Sequence, residues 1–411
     1  MTRKLALVLA TVAVATAIGA TAATAGSSAD PGVTSTSIVL GGTTPLSGAA
    51  AAYASVARGA EAYFKYVNAR GGVNGRKIEY KYLDDAYNPA QTVQATRQLV
   101  EQEKVFAVFN TLGTETNEAI RDYLNAAKVP QLFAASGSTS FGADVEKYPY
   151  TIGFQPSYQA EGWVYGKYLA RTAPGSRIAV LFQNDAYGKD LLAGLKRGLA
   201  RSKAKVIAAQ AYEVTAADVG SQVAKLKGSG ANTFAIMATP KFAIQAYVFA
   251  NKLGWRPKTT IVNAVASASN IMTLASEGGA NKVVPGSLSI QFLKDPTDPK
   301  WAKDKAVVLY RQIMKQYLPS GNVNDVYHVY GMAAAWTAAE ALKRSGKEPT
   351  REGLVKAVSN MNLKGNPFLL PGIALKTAGN GDHFPIEQVI LQRYQKGSWK
   401  AFGGLWGYRA S

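Results

Sequence analysis

Short apolar runs alternate with longer amphipathic stretches along most of this chain. Ser37-Ile-Val-Leu-Gly-Gly-Thr43 reads as a buried strand. The helix predicted after it, about Tyr53 to Arg70, has Ala57, Ala60, Phe64 and Val67 at helical spacing. The rhythm continues with a strand at Lys77–Leu83 and a helix at Pro89–Glu103. Strands at Val105–Phe109 and Gln131–Ala134 then flank a helix at Glu115–Lys128, and a strand near Tyr150–Gln155 follows. The pattern restarts with helices at Tyr158–Ala173, Gly188–Arg201, Asp218–Lys227 and Pro240–Leu253. Between and after them lie strands at Arg177–Phe182, Lys205–Ala211, Thr233–Met237 and Thr259–Asn263. Such alternation predicts an α/β chain with parallel sheets built from βαβ units. The tracts 37–155 and 158–290 are each the size of one doubly wound domain. The tail differs: helices at Pro299–Tyr317, Val326–Ser345 and Thr350–Val358 precede strand-like Glu387–Tyr394 and a Trp399–Trp406 segment.

Two polar loops hold the most suggestive chemistry. Val105–Phe109 opens into Asn110-Thr-Leu-Gly-Thr-Glu-Thr-Asn117, and Gln131–Ala134 opens into Ala135-Ser-Gly-Ser-Thr-Ser140. Small hydroxyl residues and glycine where a helix starts present free N–H groups and hydroxyls together, which suits a carboxylate or another acceptor-rich ligand. A capped helix start with no ligand is the plain alternative for either loop. Two such loops at neighbouring strand ends favour a site, because open α/β sheets bind ligands there.

Composition narrows the setting. Arg3 and Lys4, the apolar Leu5–Ile18 and the small residues Ala23-Thr-Ala25 form a secretory signal, with cleavage expected after Ala25. The chain has 411 residues, 47% of them hydrophobic, enough to fill two domain cores. Cysteine is absent, so neither disulfides nor a lipobox anchor are expected, and the mature chain is read as periplasmic and not membrane-embedded. The formal charge is +19, but Lys and Arg are scattered, as at Lys196-Arg197, and export argues against nucleic acid as a partner. No metal site and no cofactor are expected: thiolates are absent, there are two histidines, and no Walker or dinucleotide fingerprint occurs. His328 and His383 lack the context of a catalytic base, and Asp84-Asp85, pointing to opposite faces of a strand, read as turn caps. No catalytic residue is assigned.

Asn68-Ala-Arg-Gly-Gly-Val-Asn-Gly75, Asp84-Asp85, Asn184-Asp-Ala-Tyr-Gly188 and the two hydroxyl-rich loops, in that order and spacing, resemble the substrate-binding proteins of branched-chain amino acid ABC transporters, the Leu/Ile/Val-binding type. The resemblance runs from about Ser35 to the C-terminus. It implies a type I periplasmic binding protein fold: two Rossmann-like doubly wound lobes joined by three crossovers that close on a ligand. Lobe 1 would hold 35–155 plus 290–370, and lobe 2 would hold 156–289 plus 371–411. The implied partners are a small-molecule ligand and a membrane permease, with the chain itself a monomer. Gly113, Thr114, Ser136, Gly137 and Ser138 match the family's carboxylate grip. Tyr53 and Tyr187 match walls beside and over the ligand, with ordinary packing at a strand end as the alternative for each. Thr239 and Lys241 stand at a second-lobe strand end, where the lysine would favour an anionic or acceptor-rich ligand. The family's α-amino acid binders place an acid after the strand equivalent to Thr259–Val262, whereas this chain reads Asn263-Ala-Val-Ala-Ser267. Either the alignment slips there, or neutral oxygens meet the amine, or the ligand has no ammonium. A hydrophobic amino acid remains the family default, with weight shifted towards an aromatic or other organic acid, or a urea-type amide. A soluble co-receptor and a secreted hydrolase are the alternatives of other classes.

Overall fold

The computed structural model describes residues 30–408 except Asn380, so the signal expected over residues 1–25 lies outside the described residues. Five parallel strands form the first sheet: β1 (Ser37–Thr44), β2 (Lys77–Asp84), β3 (Ala107–Phe109), β4 (Gln131–Ala134) and β5 (Thr151–Gly153). Their spatial order is β2-β1-β3-β4-β5. Helices α1 (Ala54–Asn68), α2 (Pro89–Arg97) and α3 (Thr114–Ala126) link β1 to β4 in turn. Asp84 and Asp85 do cap turns: Asp84 accepts from the amides of Leu46 and Ala86, and Asp85 from that of Tyr87.

After β5 the chain crosses to a second sheet. Here β6 (Arg177–Gln183), β7 (Lys205–Tyr212), β8 (Thr233–Met237), β9 (Thr259–Val262) and β10 (Leu288–Gln291) run parallel. The helices of this half are α4 (Tyr158–Thr172), α5 (Ala186–Leu199), α6 (Gly220–Gly228), α7 (Pro240–Lys252) and α8 (Ser269–Ala275). The chain then returns with α9 (Lys305–Tyr317), α10 (Val326–Arg344) and α11 (Arg351–Ser359). A small hairpin of β11 (Asn362–Leu363) and β12 (Leu375–Lys376) follows. The third crossing adds β13 (Gln388–Gln395) and β14 (Ser398–Gly407) as an antiparallel edge, giving the order β14-β13-β10-β9-β8-β6-β7. This is the doubly wound, three-crossover α/β fold.

Close backbone contacts fix the helix pairs. A Cβ on Gly59 of α1 would meet the His328 carbonyl at 2.4 Å, and one on Gly331 of α10 would meet the Val56 carbonyl at 2.0 Å. That contact brings α10 back over the first sheet. Residues 371–379 and 381–386 also lie on this side: His383 donates its amide to the Gly142 carbonyl at 3.0 Å, and its Nδ1 is 2.9 Å from the Thr151 carbonyl. The chain therefore joins the second sheet at Gln388, later than the sequence-based boundary at residue 371. At the other boundary, β10 extends pairing with the second sheet to Gln291.

The remaining differences are local. The long helix expected from Pro299 is a single 3-10 turn, Pro299–Trp301, and α9 starts anew where Asp304 caps the amides of Ala306 and Val307. The helix from Pro89 widens into a π turn at Gln98–Gln102. No helix among the described residues is long and apolar enough to cross a membrane.

Candidate functional site

The carboxyl ends of strands in both sheets face one cavity between the two halves. Strand ends are where open α/β sheets take ligands. Six tyrosines wall it: Tyr53, Tyr87, Tyr158, Tyr187, Tyr327 and Tyr330. All six are buried. Tyr53 and Tyr327 pack edge-on at 5.1 Å, and Tyr158 and Tyr187 lie 4.8 Å apart. Val56, Leu112, Ile290, Phe292 and Val326 make much of the rest of the wall apolar.

The two halves touch across this cavity. The hydroxyls of Tyr53 and Tyr327 both donate to the carbonyl of Val265, at 3.0 and 2.8 Å. Thr139 donates its amide and hydroxyl to Asp190 Oδ2 on α5, at 2.8 and 2.9 Å. The cavity is thus held shut by bonds from the first half to the second.

Of the residues expected from sequence, Tyr53, Gly113, Tyr187 and Thr239 line the cavity. Gly113 has φ +108° as the N-cap of α3, and a Cβ there would meet the Tyr87 ring at 2.5 Å. Thr114 and Ser136 sit just behind the wall, their hydroxyls 2.7 Å apart. Gly137 allows a close pass of the chain: a Cβ there would meet the Pro156 carbonyl at 2.4 Å. Ser138 does not reach the cavity, because its hydroxyl engages Ser140 at 2.8 Å, and Ser140 is in turn held by Glu118. Lys241 is also turned away, with Nζ 3.4 Å from the Ala216 carbonyl and lying over the Phe242 ring. Asn263 folds back between strand ends, where Oδ1 accepts the Ala238 amide at 3.1 Å. The cation expected from Lys241 is therefore not part of the cavity wall.

Sequence reasoning missed Tyr87, Gln155, Tyr158, Glu161, Tyr327 and Tyr330. Four of these form two pairs at i,i+3 in helix first turns, Tyr158 with Glu161 on α4 and Tyr327 with Tyr330 on α10. Helix α4 follows a passage between halves, and the Tyr327 hydroxyl at the start of α10 reaches Val265 of the opposite half, so both helix starts face the cleft. That spacing is the signal that could have found them. Glu161 is 2% exposed, and burial pushes its carboxyl up to about 7. Its Oε1 accepts the amide of Ala264 at 2.6 Å and the hydroxyl of Tyr165 at 2.7 Å. The Tyr187 hydroxyl is buried without a hydrogen-bond partner among the described residues. Burial raises all six wall tyrosines, so they are neutral donors at physiological pH.

Neither histidine belongs to this site. His328 Nδ1 is 3.1 Å from the Asn322 carbonyl, His383 Nδ1 is bound as described above, and burial lowers both pKa values. Among the described residues no group of three His, Cys, Asp or Glu could hold a metal ion.

Known proteins place this geometry. A Leu/Ile/Val-binding protein homolog from Brucella abortus is 25% identical over 363 residues, covering 86% of this chain and 89% of that one. The chain spans about half, 52%, of two further curated relatives. A branched-chain amino acid ABC transporter structure from Thermus thermophilus with bound valine superposes with a TM-score of 0.79 at 17% identity, over 90% of this chain and 97% of that one. A fatty acid ABC transporter substrate-binding protein from Thermomonospora curvata gives a TM-score of 0.76 at 20% identity, covering 93% and 95%. These two likenesses establish the fold. The periplasmic binding protein family model matches residues 37–398, nearly the whole described chain, and with the two-halved cleft it assigns the chain to that family.

Proposed function

We propose that this chain is an extracytoplasmic solute-binding protein of an ABC importer. It captures a small carboxylate-bearing solute, foremost a hydrophobic amino acid, by closing two lobes, and delivers it to a membrane permease. The lobes are 35–155 with 290–370 and 156–289 with 371–411, adjusted as above at their junctions. Capture needs no covalent chemistry. The observation that carries the reading is the tyrosine-walled cavity between the strand ends of two sheets, crossed by hydrogen bonds between the halves. Tyrosine suits such a wall: its ring packs on an apolar side chain while its hydroxyl donates to a carboxylate. Valine and fatty acids, named for two structures of the same fold, are both carboxylate-bearing and apolar.

The test is native mass spectrometry of the purified protein, joined to a thermal-shift panel of hydrophobic amino acids, aromatic and aliphatic acids, and small amides. Stabilisation by an apolar carboxylate ligand recovered intact supports the reading. Stabilisation by amides alone, or recovery of a cleaved ligand, overturns it.

A further inference from the structure

The cavity wall is electrically one-sided. It carries one carboxylate, that of Glu161, and no Lys, Arg or His. Only Oε1 of Glu161 is engaged, by Ala264 and Tyr165, and no salt bridge among the described residues includes the side chain. A buried carboxylate without a counter-ion is costly in any fold. The Tyr187 and Tyr330 hydroxyls are the wall's unpaired donors among the described residues, and Tyr187 is the one within electrostatic reach of Glu161. The wall thus lacks a cation near Glu161 and an acceptor near Tyr187.

We infer that Glu161 receives the ammonium group of the bound solute, which makes the ligand class an amine-bearing one: a zwitterionic apolar amino acid whose carboxylate meets the Tyr187 hydroxyl. This rests on reading the cavity as the solute site. An organic acid with no amine would bring a second negative charge beside Glu161, which must first take up a proton, a cost that grows as pH rises above about 7. The acid missing from Asn263–Ser267 is thereby supplied from elsewhere in the chain. It arrives from the first turn of α4 and docks on the amide of Ala264, in the very loop where sequence reasoning sought it.

Ammonium binding needs the ionised carboxylate. Affinity for an amine-bearing solute therefore falls about tenfold per pH unit once pH drops below about 7. The other titratable groups around it are the six wall tyrosines and Tyr165 behind it, all raised by burial and neutral over this range. Asp185, the N-cap of α5, acts on Tyr87 and Tyr158, and any effect it has would persist when Glu161 is replaced.

The experiment is calorimetry at pH 5.5 and 7.5 with leucine and phenylalanine, each beside its deaminated acid, on the wild-type chain and on Glu161→Gln. Glutamine keeps an oxygen that can accept from Ala264 and Tyr165, so the fold is preserved. At pH 7.5 the wild-type protein should prefer an amino acid over its deaminated partner by about tenfold or more, and the preference should shrink at pH 5.5, with the pH slope above. Glu161→Gln should lose both the preference and the slope. If the wild-type chain binds the deaminated acids as tightly, or if Glu161→Gln keeps the preference, Glu161 is not the ammonium partner and only this inference falls. If the wild-type chain binds neither compound of either pair, the reading of the cavity falls, and the inference with it.

Discussion

Glu161 shows how one residue can be placed against stability. Its carboxyl is raised from 4.5 to about 7 by burial, while in the unfolded chain it titrates normally. Between those values the folded state binds more protons than the unfolded one, so stability falls as pH rises. The contribution is intact below about pH 4.5 and fully lost above about pH 7. A shift of this size corresponds to about 3 kcal/mol. In ligand-free protein, Glu161→Gln should therefore raise the unfolding free energy at pH 8 by up to about 3 kcal/mol, with the gain shrinking towards pH 5. Denaturant melts at the two pH values check this; an equal effect at both would mean that the carboxylate is not strained. Such a penalty is what a site held ready for a cation carries before its ligand arrives.

At the scale of helices and strands, α4 and α5 are joined by glycines rather than by large apolar side chains. A Cβ on Gly198 would meet the Trp163 carbonyl at 2.4 Å and Gly166 Cα at 2.9 Å. Helix propensity alone favours Gly198→Ala by about 0.5–1 kcal/mol. Overpacking between two backbones outweighs that, so a net loss of about 1–3 kcal/mol is expected. Gly228→Ala on α6, where a Cβ would meet nothing within 4 Å, is the control and should be neutral or stabilising. Urea melts of the two variants settle the comparison, and equal stabilisation by both would refute tight α4–α5 packing. Most of these elements were legible because a buried parallel strand is a short apolar run and a covering helix repeats near 3.6. The strand β10 was not, since Leu288-Ser-Ile-Gln291 is short, and its partners are at Ile261 and Ile390–Arg393, far away in the chain. The site was legible in part. Tyr53, Gly113, Tyr187 and Thr239 follow strands, where ligands are expected, whereas Ser138 and Lys241 spend their polar atoms on neighbours that sequence does not reveal. Glu161 was hidden for a different reason: an acid in the first turn of a helix reads as an ordinary partner of the helix dipole.

Across the whole molecule, what matters is how firmly the two halves are held together. Asp190 is set in place by Gln159, whose Nε2 donates to Oδ1 at 2.9 Å, so Oδ2 is free to take both donors of Thr139 from the opposite half. These charge-assisted bonds join the two halves across the cleft and so favour its closed form. Solute affinity depends on the closed fraction, because apparent Kd is the intrinsic Kd divided by the population able to bind. The pair is partly exposed, so about 1–2 kcal/mol is a fair net value for its loss. Asp190→Ala should then weaken solute binding by about five- to thirtyfold by calorimetry, mainly through faster release. Small-angle scattering should show the variant needing more solute than the wild type to reach the same compaction. The cavity wall is untouched by this change, so selectivity among solutes should be preserved. A variant with wild-type affinity would show that the tyrosine bonds to Val265 suffice for closure. A variant with altered selectivity would show that Asp190 acts on the site itself and not on the latch.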